Sequence, residues 1–111
     1  TTPILYTCAR SRGLRATWAA EEAGVDIDLN ILPFPPRFRA PDYMALNPLG
    51  TVPLLIDGET RLTESCAIAH YLATRDGYTS LAIPPGERDY GEYLDYTYHA
   101  DATITFPQTV Y

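Results

Sequence analysis

The spacing of apolar and polar positions changes several times along the chain. Pro3 to Thr7 is a short β-prone run, and the alanine-rich stretch that follows predicts a helix from Ser11 to Ala23, ended by Gly24. From there the period becomes two. Val25, Ile27, Leu29 and Ile31 alternate with Asp26, Asp28 and Asn30, which predicts a strand with one buried face, broken by Pro33 to Pro36. Asp42 to Leu46 reads as a short helix stopped before Asn47-Pro48-Leu49-Gly50. Val52 to Ile56 and Arg61 to Thr63 then flank Asp57-Gly58, a hairpin signal. Finally, Ser65 to Arg75 places Ile68, Tyr71 and Leu72 on one helical face and ends near Gly77.

The order is β-α-β-(α)-β-β-α. A helical crossover joins the first two strands in parallel, the hairpin adds two more, and the last helix covers the sheet, which is a thioredoxin-like α/β arrangement. Pro84-Pro85-Gly86 cannot continue a helix and marks a connection. Beyond it, Glu87 to Phe106 carries Tyr90, Tyr93, Tyr96 and Tyr98 at helix-compatible spacings before Pro107. The expected division is a thioredoxin-like domain over 1–80, a linker over 81–87, and over 88–111 the first helix of an all-α domain. That last stretch is too short to close a core, so the chain is expected to be a fragment of something longer. The tyrosines are expected to pack as core between helices, with an aromatic pocket as the other reading.

Composition narrows the function classes. With 111 residues, 46 % hydrophobic and 20 % charged, the chain has a globular composition rather than a disordered one. Fourteen acids against eight basic residues give −6, which disfavours binding to nucleic acid or to an anionic membrane surface. All eight cations are arginines, so any cationic contact with an anion comes from a planar, permanently charged guanidinium. The two cysteines do not form a disulfide framework, and with two histidines they give no metal-binding spacing. No apolar run approaches the roughly 18 residues of a spanning helix, and no signal peptide is visible. The expectation is a cytoplasmic protein without a metal.

Three places carry candidate chemistry, each beside a bland alternative. Pro53 either merely starts a strand or follows a cis bond that turns the Val52 backbone outward, where it can pair with an extended peptide. Glu64 and Ser65 stand at a strand-to-helix junction, where Ser65 either caps the helix or joins the helix NH groups in holding a carboxylate while Glu64 meets an ammonium. Ser11, in the turn after the first strand, either caps a helix or donates to a bound thiolate stabilised by the helix dipole. Cys8 forms a Cys-x-x-Ser spacing with Ser11 and is either a reactive thiol or a small apolar filler. Tyr6 either packs or offers its phenol, and Cys66 reads as core. His70 and His99 have no spacing that supports a triad with a serine.

The string Asn47-Pro48-Leu49-Gly50-Thr51-Val52-Pro53-Leu54-Leu55 through Asp57-Gly58, followed by Leu62-Thr63-Glu64-Ser65-Cys66-Ala67-Ile68-Ala69-His70-Tyr71-Leu72, resembles the glutathione-binding half of cytosolic glutathione transferases. The resemblance spans roughly 3–83. Residues 88–111 resemble the first helix of that family's helical domain, and Ser11-Arg12-Gly13 is similar to serine-type bacterial members. The resemblance implies that Val52 bonds the cysteinyl backbone of glutathione before a cis Pro53, and that Glu64 and Ser65 hold the γ-glutamyl headgroup. It also implies that Arg39 or neighbouring Phe38 approaches the glycine carboxylate, and that Ser11 activates the thiol, with Tyr6 as the competing assignment. Glutathione would serve as co-substrate for an apolar electrophile, in a homodimer. Cys8 departs from the family pattern and keeps a thiol oxidoreductase or thioether-cleaving variant open, and a non-catalytic interaction module is the third reading. Lowering a thiol pKa from about 8.5 by about two units needs roughly 2.7 kcal/mol, within reach of one hydroxyl donor and a helix N-terminus.

Overall fold

The computed structural model describes residues 2–9, 11, 13–33, 39–77 and 81–100. Its elements are β1 (Ile4–Cys8), α1 (Gly13–Ala23), β2 (Asp28–Leu32), α2 (Tyr43–Leu46), β3 (Leu54–Asp57), β4 (Thr60–Leu62), α3 (Ser65–Thr74) and α4 (Tyr90–His99). The four strands form one sheet in the order β2-β1-β3-β4. β1 and β2 are parallel with Leu5 beside Leu29, whereas β3 runs antiparallel to β1 and to β4. This is the thioredoxin-like α/β fold, followed by the start of a helical part.

The core lies on one face of the sheet. Leu5 of β1 and Leu55 of β3 meet Ala16 and Ala20 of α1 and Ile68 and Leu72 of α3, all essentially sealed from solvent. The alanines let α1 approach the sheet closely, and each large aliphatic buried against it contributes about 2 kcal/mol. At the start of α1 the approach is closest. A Cβ on Gly13 would overlap the Thr7 side chain, so glycine is what lets this helix begin against β1.

The observed elements depart from the sequence pattern at their ends. α1 is described from Gly13, with Ser11 in the bend before it and its side-chain oxygen accepting the Gly13 N–H as an N-cap does. The strand expected over Val25 to Ile31 is instead Asp28–Leu32. Val25 and Ile27 do pack partly on the core, but Leu29 and Ile31 are 41 % and 67 % exposed. β2 is the edge of the sheet, so its apolar face extends past the core that alternation alone predicts it to join. Gly58 takes φ +62 in the β3–β4 turn, as the hairpin signal requires. The helix expected over Glu87 to Phe106 is described from Tyr90, and its part beyond Ala100 lies outside the described residues.

The far end of α3 is tied to the sheet by charge. Arg75 Nε reaches Asp57 Oδ2 at 2.7 Å, and the Tyr71 hydroxyl donates to the same oxygen at 2.6 Å. These two donors hold the Asp57 carboxyl below the usual carboxylate range. The same pairing raises the Tyr71 phenol and the Arg75 guanidinium.

Candidate functional site

Strand direction brings the candidate residues together. β1 ends at Cys8, β3 begins at Leu54 opposite Tyr6, and β4 ends at Leu62 opposite Leu55. The Ser11 turn, Val52-Pro53 and Glu64-Ser65 therefore all emerge at one end of the sheet. Sequence spacing could not show this, because those segments are separated by some forty and ten residues while the register decides which ends coincide.

In the turn before α1, the Ser11 hydroxyl donates to the Cys8 carbonyl at 2.7 Å, accepts the Gly13 N–H at 3.2 Å, and lies 3.3 Å from Thr7 Oγ1. It thus caps its own turn, and donation to an outside sulfur requires the hydroxyl to rotate off the Cys8 carbonyl. Cys8 is 3 % exposed with Sγ 3.9 Å from the Pro33 carbonyl, and burial pushes its thiol pKa up. Tyr6 is half-buried with its ring 5.5 Å from that of Tyr43. Arg12 lies outside the described residues.

The loop leading to Val52 is held by two residues to which sequence reasoning gave no site role. Asn47 is buried, and its amide donates to the Thr51 carbonyl at 2.9 Å and to Thr51 Oγ1, while its own oxygen accepts the Leu49 N–H. The Tyr43 hydroxyl donates to the same Thr51 carbonyl at 2.6 Å, and burial pushes its phenol pKa up. Asn47 caps the C-terminus of α2, its backbone N–H donating to the Tyr43 carbonyl, and stands directly before Pro48, where a helix is expected to stop. That signal was present in the sequence. The Val52-Pro53 peptide bond is cis, and Val52 precedes the last β1–β3 pair, that of Tyr6 with Leu54. Arg39 is exposed, and Phe38 lies outside the described residues.

At the start of α3, Glu64 occupies the N-cap position with no side-chain cap hydrogen bond. Ser65 is not the cap. Its oxygen instead accepts from Arg15 Nη1 at 3.1 Å, across from α1, and the same nitrogen lies 3.7 Å from Cys66 Sγ. Cys66, expected in the core, is only half-buried. It borders a cavity of about 560 Å³ between α3 and α4, with Glu64, His70, Tyr90 and Tyr98. The sulfur-directed candidates Ser11, Tyr6 and Cys8 do not line that space. Within this chain no residue of α4 is buried and Tyr96 and Tyr98 are largely exposed, while Tyr90 and Tyr98 border the cavity, in line with the pocket reading of the tyrosines. Tyr93 lies 3.2 Å from His70 Nδ1, linking α4 to α3. Among the described residues no cluster of three His, Cys, Asp or Glu could hold a metal, and no helix is long and apolar enough to cross a membrane.

Residues 9–75 match the family described as "Glutathione S-transferase, N-terminal domain". The chain belongs to the glutathione S-transferase family. As a glutathione S-transferase family member it is 51 % identical over 65 residues to a maleylacetoacetate isomerase of Rhizobium meliloti, covering 57 % of this chain and 30 % of that protein. It is 46 % identical over 61 residues to glutathione S-transferase 4 of Zea mays, covering 52 % and 26 %. Among solved structures, a theta class glutathione S-transferase from Xanthomonas axonopodis pv. citri with glutathione bound superposes with TM-score 0.74 at 32 % identity, over 92 % of this chain and 49 % of that one. A glutathione transferase from Methylococcus capsulatus gives 0.81 at 26 % identity, over 93 % and 52 %. The chain therefore spans about a third or less of these curated relatives and about half of these solved chains.

Proposed function

We propose that the chain supplies the glutathione-binding half of a glutathione transferase. The observation that carries this reading is the meeting of the Ser11 turn, Val52 and Glu64-Ser65 at one end of one sheet, in a chain of that family. The Val52 backbone, beside Pro53, pairs with the cysteinyl backbone of glutathione. Glu64 and Ser65 take the ammonium and carboxylate of the γ-glutamyl headgroup, and Arg39 faces the glycine carboxylate. Glutathione is a co-substrate, the other substrate is an apolar electrophile, and the working form is a cytoplasmic homodimer. Residues 1–80 form the binding domain, 81–87 the linker and 88–111 the opening of the helical domain.

Ser11 rotates to donate to the sulfur, the thiol proton passes to solvent, and the thiolate attacks the electrophilic carbon. A C–S bond forms as the leaving group departs with its electron pair. Burial and the raised thiol pKa favour Ser11 over Cys8, and Tyr6 stays the competing donor. The pH dependence of bound-thiolate absorbance tests this. Ser11→Ala should raise the thiolate pKa by about one unit, the hydroxyl's share of the stabilisation, since the helix N-terminus remains, and an unchanged pKa removes Ser11 from the role.

A second reading, isomerisation, is favoured by the 51 % identity to an isomerase. The two separate on stoichiometry, since transfer consumes one glutathione per product and isomerisation leaves glutathione and substrate composition unchanged.

A further inference from the structure

Arg15 sits on α1, four residues beyond Ser11, yet its guanidinium crosses to the other helix. Nη1 donates to Ser65 Oγ at 3.1 Å and lies 3.7 Å from Cys66 Sγ, so the side chain reaches the first turn of α3. A serine hydroxyl has one proton to give and two lone pairs to receive. When a charged donor occupies one lone pair, the O–H is polarised and becomes a better donor to an anion. Ser65 is 6 % exposed, so protein neighbours rather than bulk water set the direction of that hydroxyl. A guanidinium presents its donors in a fixed plane, so the one on Ser65 Oγ holds that oxygen's lone pair in one direction. The Ser11 hydroxyl bonds within its own turn to Cys8 and Gly13. The two serines are thus governed by different neighbours.

We infer that Arg15 is a positioning residue for the γ-glutamyl carboxylate. It acts through Ser65 by directing the Ser65 hydroxyl outward as a donor, and it sets glutathione affinity without setting the acidity of the thiol. This rests on the glutathione reading above.

The test is calorimetric titration of the full chain and its variants with glutathione and with an analogue whose γ-glutamyl carboxylate is a carboxamide. Arg15→Gln should weaken glutathione binding roughly tenfold while changing carboxamide binding little. Arg15→Lys should restore part of the loss, and it carries the comparison if Arg15→Gln does not fold. In a Ser65→Ala background, Arg15→Gln should cost clearly less than it does alone, and the pKa of the bound thiolate should stay at the wild-type value. Equal weakening of both ligands would show a role in folding alone and overturn the inference. A folded wild-type chain that binds neither ligand would instead overturn the glutathione reading, and this inference with it.

Discussion

α1 and α3 both begin beside a serine at the same end of the sheet, but Ser11 closes its turn on itself whereas Ser65 accepts its hydrogen bond from the other helix. The anchoring of the two helices differs too. α1 is fixed at its start by close approach, with Gly13 against Thr7, and α3 is fixed at its far end by Tyr71 and Arg75 on Asp57. The first is steric and independent of pH. The second is electrostatic and fails in acid. Residue type and position at a helix start are therefore insufficient to assign a serine its role; the partner that reaches it decides.

Gly13→Ala should show the largest effect, because the new Cβ overlaps a buried side chain on β1 and α1 must move away. A loss of about 3 kcal/mol in denaturant unfolding is expected. A near-neutral result would mean that α1 is not held by this approach. Asn47→Ala comes next, since it removes the donor to the Thr51 carbonyl and Oγ1 and the acceptor of the Leu49 N–H, leaving the Tyr43 hydroxyl to hold the Thr51 carbonyl. About 2 kcal/mol should be lost, with weaker glutathione binding because Val52 is displaced. If stability falls while binding is unchanged, the loop does not position Val52.

The smallest effect belongs to the clamp on α3. Asp57 has a lowered carboxyl pKa in the fold, so its stabilisation is present above the ordinary carboxylate pKa and is lost as pH falls through the lower folded value. Thermal unfolding of wild type should therefore drop in this acidic window. Asp57→Asn should be less stable at neutral pH and lack that part of the drop. Identical pH profiles would show that the ion pair does not anchor α3.

Several parts of this picture were legible in the residues. The change of period from strand to helix to strand, the Asp57-Gly58 turn, and the motif from Asn47 to Leu72 were enough to expect the fold and the family. The Val52-Pro53 segment and the Glu64-Ser65 junction were visible as candidates for the same reason, since backbone chemistry and helix ends are local features. Local reasoning failed at Leu29 and Ile31. Alternation establishes which residues share a face, but not whether another layer covers that face. It failed again at Cys66, whose burial depends on what packs beside it.

The sequence by itself determined the order of elements, the turns that glycine and proline permit, and the residue types available for holding charge, arginine alone among the cations. Those properties depend on covalent structure and near neighbours. Only the tertiary structure decided that the three candidate segments share one end of the sheet, that Ser11 is engaged in its own turn, and that Arg15 reaches Ser65 across fifty positions. Contacts between distant segments are set by strand register and helix packing, which no local pattern encodes.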